Sequence, residues 1–118
     1  MISIHKNDKG TLIAELTDNN YFISGPDETL DLLAYAGVND CRGIIIHESN
    51  LDPAFFDLKT KIAGEILQKF SNYKMKLAIV GDFSKYTSNS LRDFIRESNR
   101  GNNIYFTENI ATALKKLV

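Results

Sequence analysis

The sequence is poor in the residues that most often announce chemistry. Cys41 is its only cysteine, so no intramolecular disulfide and no cysteine cage for a metal can form. His5 and His47 are its only histidines, and they do not stand at the i,i+4 spacing of a helical metal site. There is no serine elbow of the form G-x-S-x-G, no glycine-rich loop ending in Gly-Lys-Ser/Thr, and no suggestion of a cysteine–histidine nucleophile pair. No cofactor is therefore expected. No apolar run approaches the roughly 20 residues that span a bilayer, which argues against a membrane role. The opening MISIHKND is too polar for a secretory signal, and a cytoplasmic location is expected by elimination. A net charge of −1 supplies no global field for nucleic acid or an anionic membrane, and no nucleic-acid-reading motif is present.

What is present has the balance of an ordinary globular domain: 43% hydrophobic and 25% charged residues in 118 positions. A chain of this length is expected to form a single domain over residues 1–118 and to bury roughly two-thirds of its unfolded surface. No linker, repeat or low-complexity stretch divides it.

Ile2–His5 and Thr11–Leu16 are β-prone runs separated by the polar, glycine-ended segment Lys6–Gly10, which predicts a hairpin. Tyr21–Ile23 is a further short extended piece. Gly25-Pro26-Asp27-Glu28 predicts a helix start, with proline at the first helical position and acids at the positive end of the dipole. Leu30, Leu33 and Ala34 give its apolar stripe and Gly37 its stop. Arg42–His47 follows as a β-branched run without alternation, the pattern of a strand covered on both faces. A helix is expected from about Asp57 to Phe70, because Leu58, Ile62, Ile66 and Phe70 recur every four residues. Leu77–Gly81 predicts a second buried strand. A helix with Leu91, Phe94, Ile95 and Ser98 facing inward comes next, then the strand Ile104–Phe106. Thr107-Glu108 starts a closing helix with Ile110, Leu114 and Leu117 inward. The order β-β-α-β-α-β-α-β-α predicts an α/β fold with a mixed, mostly parallel sheet and an N-terminal hairpin.

Three stretches carry a family resemblance: Phe55–Thr60 with Ala63–Phe70, Lys76–Tyr86, and Ser90–Ile95 with Glu97–Asn99. They resemble the bacterial family catalogued as domain of unknown function 4180, which implies no activity. A looser similarity in element order is to the STAS domain, the sulfate-transporter and anti-sigma-factor-antagonist domain. That similarity implies a STAS-like core acting through protein contacts, with a phosphorylated serine as switch in the bacterial regulators. Asp57 matches the acidic position before that serine. Leu58 stands where the phosphoacceptor would be and Thr60 lies two residues later, a departure that argues against the switch.

Two surfaces are candidate sites. The first is the segment Phe55, Phe56, Asp57, Lys59 and Thr60. One phenylalanine is expected to point inward; the other either packs beneath a loop or stands exposed and marks a partner surface. The corresponding function is a non-enzymatic regulatory or protein-interaction module, binding a protein partner or a second copy of itself. The second is a cleft beyond the strand ends, lined by His47, Glu48, Asp82, Ser84, Lys85 and Arg92, which would take a small ligand or anion. It requires loops 47–50 and 82–88 to lie side by side. Each feature also has a plain structural reading. Thr87 or Ser88 caps a helix, His47 is a loop residue with a satisfied hydrogen bond, and Arg92, Arg96 and Arg100 form a solvated ridge beside Asp93 and Glu97.

Overall fold

The computed structural model describes residues 2–117. Its five strands are β1 (Ile2–Lys6), β2 (Leu12–Leu16), β3 (Gly43–His47), β4 (Lys76–Val80) and β5 (Ile104–Thr107). Its helices are α1 (Pro26–Val38), α2 (Ile62–Asn72), α3 (Asn89–Arg100) and α4 (Ile110–Lys116). The sheet runs in the order β1-β2-β3-β4-β5. β1 and β2 pair antiparallel, and every later pair is parallel. The expected mixed, mostly parallel sheet with an N-terminal hairpin is what the chain forms.

The hairpin turn is built locally. The Asn7 side-chain oxygen accepts from the amides of Lys9 and Thr11, and Gly10 takes the left-handed φ of 81° that closes the turn. In the parallel part each crossover steps one place along the sheet in the same direction. Right-handed crossovers then place their helices on one face. α1, α2 and α3 accordingly share one core with Ile44, Ile46, Leu77, Ile79 and Phe106, whereas α4 covers the other face with Ile13, Ile45, Ala78 and Tyr105. The alternation Ile44–Ile46 against Ile45–His47 on β3 follows from the two-residue period of a strand.

Three boundaries depart from the sequence reading. The helix expected from Asp57 begins at Ile62 instead. Asp52 accepts from the Ala54 amide and Asp57 from the Lys59 amide, each capping a separate 3₁₀ turn, Pro53–Phe56 and Leu58–Thr60. The Thr60 hydroxyl bonds back to the Ala54 and Asp57 carbonyls, and Lys61 takes a left-handed φ of 65° before α2 starts. The closing helix starts after Asn109, whose side chain accepts from the Thr112 amide, rather than at Thr107, which ends β5. The extended piece at Tyr21–Ile23 reduces to one parallel bridge between Ile23 and Leu51.

Candidate functional site

The loops after β3 and β4 meet at the C-terminal ends of the strands. Glu48 joins them: its Oε2 lies 2.6 Å from Lys85 Nζ and accepts a 2.6 Å hydrogen bond from the Tyr86 hydroxyl. Burial, then the hydrogen bond and charge of Glu48, hold the Tyr86 phenol protonated well above its ordinary range, so it stays a donor. Gly81 makes this approach possible, because a Cβ there would stand 2.6 Å from the Cβ of Glu48. Behind the pair lies an aromatic wall. Tyr86 stacks on Phe56 at 4.7 Å between centroids, Phe56 meets Phe55 edge-on at 5.0 Å, and Phe83 meets Phe106 at 5.2 Å.

In front of that wall is a hollow of about 470 Å³. Phe22, Ser49, Leu51 and Pro53 complete its lining beside Glu48, Phe56, Lys85 and Tyr86. Phe22 is 49% exposed on its rim. It is placed by Asn50, which is buried. The Asn50 amide donates to the carbonyls of Asp18 and Tyr21 at 2.9 and 3.0 Å and accepts from the His47 amide. Asn50 thereby ties the segment before α1 to the end of β3.

The residues expected to line one cleft are divided among different places. Glu48 and Lys85 meet, as adjacent strands require. His47 does not join them: it follows Ile45 in the alternation of β3 and points to the α4 side of the sheet. There its Nε2 is 3.0 Å from Glu15 Oε2, while His5 Nε2 is 2.8 Å from Glu15 Oε1. Burial opposes ionisation of Glu15. The bonds from His47 and His5 and their attraction outweigh it, and its pKa falls below the ordinary value. Asp82 and Ser84 form a self-contained turn, both the amide and the hydroxyl of Ser84 donating to Asp82. Arg92 lines a separate groove of about 430 Å³ with Phe83, Ile95, Arg96, Asn99 and Arg100. Arg96 there is paired with Asp93. Ser88 caps α3 by accepting from the Leu91 amide.

On the other candidate segment both phenylalanines are buried, Phe55 fully and Phe56 to 8% exposure, so neither forms the exposed aromatic patch. The Pro53–Phe56 turn, which α-helical spacing does not describe, lets consecutive rings enter one cluster. Asp57, Lys59 and Thr60 are exposed, but the Asp57 and Thr60 side chains are engaged in the turn described above.

Sequence reasoning missed Glu15, Phe22 and Asn50. Glu15 had a readable signal, since a strand that alternates Ile13, Glu15 beside His5 places both on one face of a hairpin. Phe22 lies in a loop and Asn50 ends the short 3₁₀ turn Glu48–Asn50, and neither left one. Cys41 is buried, and burial, then Asp40, pushes its thiol pKa up. Among the described residues no three His, Cys, Asp or Glu side chains are placed to hold a metal, and no helix is long and apolar enough to cross a membrane.

No curated protein and no solved structure matches the chain. One family does: its sequence model matches residues 8–117, nearly the whole length, and takes in all three stretches Phe55–Phe70, Lys76–Tyr86 and Ser90–Asn99. The chain belongs to the family described as Domain of unknown function (DUF4180).

Proposed function

We propose that the chain is a non-enzymatic regulatory or protein-interaction module on a STAS-like core. In this reading it holds a partner protein in the hollow at the ends of β3 and β4. The observation that carries it is the composition of the hollow. Its wall is Phe22, Leu51, Pro53, Phe56 and Tyr86, and its two charges, Glu48 and Lys85, are bound to each other. Such a surface suits an apolar or aromatic side chain of a partner, with the charge pair at the edge setting orientation. The strand order supports the same reading. Open α/β sheets bind small ligands where the strand order reverses, and this sheet never reverses. The STAS-like core rests on the element order. Leu58 at the switch position favours docking without a phosphoserine there.

The test places a photo-crosslinking benzoylphenylalanine at Phe22 or, as control, at the exposed Tyr73, in cells making the native chain. A discrete protein adduct is expected from position 22, none from position 73, and loss of the adduct with Lys85→Glu. A thermal-shift series with inorganic phosphate, nucleotides and small carboxylic acids is expected to leave the midpoint unmoved. Saturable stabilisation by one of these, abolished in Lys85→Ala, would replace this reading with a small-ligand site.

A further inference from the structure

The two edges of the sheet are finished differently. On β5 the outward backbone of Phe106 is already paired. The Asn99 side chain accepts from its amide at 2.7 Å and donates to its carbonyl at 3.3 Å, standing in for one residue of a further strand. Such covering removes the edge as a template for pairing. Among the described residues β1 has no such cover. The Asn7 amide donates to the Thr11 carbonyl, and the Leu12 carbonyl accepts from Arg42 across the sheet. By the alternation of an antiparallel ladder, the backbones of Ser3 and His5 bond to β2, and those of Ile2, Ile4 and Lys6 point outward.

On its helical side this edge carries Ile2, Ile4 and Lys6, while Ser3 and His5 face the other side. Ile4 is 42% exposed, and Tyr35 of α1, on the same side of the sheet, is 40% exposed. Between β1 and α1 lies a hollow of about 260 Å³, lined in part by Ile2, Asp31, Leu32 and Tyr35. The edge thus has an acidic flank at Ile2 and a basic residue, Lys6, at its other end.

We infer that β1 pairs with β1 of a second copy of this chain, antiparallel across a twofold axis at Ile4, so that the two sheets become one. The register follows from the outward groups. Ile4 faces Ile4, and Ile2 faces Lys6 twice, each pair exchanging two main-chain hydrogen bonds. On the helical side, Ile4 meets its mate, and Lys6 of each copy lands beside Ile2 and Asp31 of the other. On the opposite side, Ser3 faces His5 of the second copy. A strand from an unrelated partner would satisfy the backbone equally well. The match of basic end to acidic end within a single edge selects the chain itself, and a twofold contact uses that match twice. The inference is independent of the hollow at Phe22.

Sedimentation of the full chain from micromolar to millimolar concentration tests it. The expected limit at high concentration is twice the mass of one chain, with the amides of Ile4 and Lys6 gaining hydrogen-exchange protection as the dimer forms. Ile4→Pro is expected to remain monomeric with an unchanged circular dichroism spectrum, because the amide it removes is outward on an edge strand. Lys6→Glu is expected to raise the dissociation constant roughly tenfold through two like-charge contacts, and Lys6→Glu with Asp31→Lys to restore it. A chain that stays monomeric to millimolar concentration, a dimer indifferent to Ile4→Pro, or failure of the charge exchange to rescue would each overturn the inference.

Discussion

The two faces of the sheet use the same strands and are closed to different degrees. On the side of α1, α2 and α3 the core is continuous, with Phe55, Phe70, Ile44, Ile46, Leu77 and Ile79 essentially without exposure. On the other side, among the described residues, α4 and Leu117 just after it cover Ile13, Ile45, Ala78 and Tyr105. One helix is about 10–12 Å across, whereas five strands side by side span about 19 Å. The uncovered half of that face is where Glu15, His5 and His47 stand. Large helices finish one face with hydrocarbon; on the other, where the helix runs out, a hydrogen-bonded polar cluster takes over. The difference separates what holds the fold from what remains available to solvent.

The largest expected break in this comparison comes from truncating each core in turn. Phe55→Ala should cost about 3–5 kcal/mol, and Leu117→Ala, at the end of the shorter helix, about 2–3 kcal/mol, measured by urea unfolding. Equal losses would mean that the faces contribute alike. Gly81→Ala comes next. Its Cβ would force Glu48 away from Lys85 and Tyr86, at about 1–3 kcal/mol. Gly64→Ala, a helical position with open space around its Cβ, should instead stabilise by about 0.5–1 kcal/mol. The smallest effect sharpens the polar half. The carboxyl of Glu15 has a folded pKa below its ordinary 4.5, so the stability it contributes is present above that value and lost as pH falls through the lower folded one. Glu15→Gln should therefore flatten the loss of stability below about pH 4.5 in acid unfolding curves. An unchanged acid limb would show that the histidine bonds do not favour the ionised carboxyl.

Much of the fold was legible because its strands are short β-branched runs and its turns carry their own punctuation. Lys6–Gly10 predicted the hairpin, Gly25-Pro26 the start of α1, and Leu91, Phe94 and Ile95 the inner face of α3. The start of α2 was not, because the spacing of Leu58, Ile62, Ile66 and Phe70 is blind to the capped turns that interrupt it at Lys61. The candidate cleft was legible only as far as neighbouring loops allow. Adjacent strands bring Glu48 to Lys85, but a one-residue step along β3 sends His47 to the opposite face, and its partner Glu15 is set by a register 32 residues away.

The unreversed strand order has a consequence for how the chain is made. Each strand after the first lies beside the one synthesised just before it. No gap must be kept open for a later segment, so the sheet can grow outward as the polypeptide leaves the ribosome, one βα unit docking on the last. Loop closures stay short and sequential, which lowers the entropic cost of each addition. Growth ends at β5, where Asn99, made only a few residues earlier, is already in place on α3 to occupy the final edge.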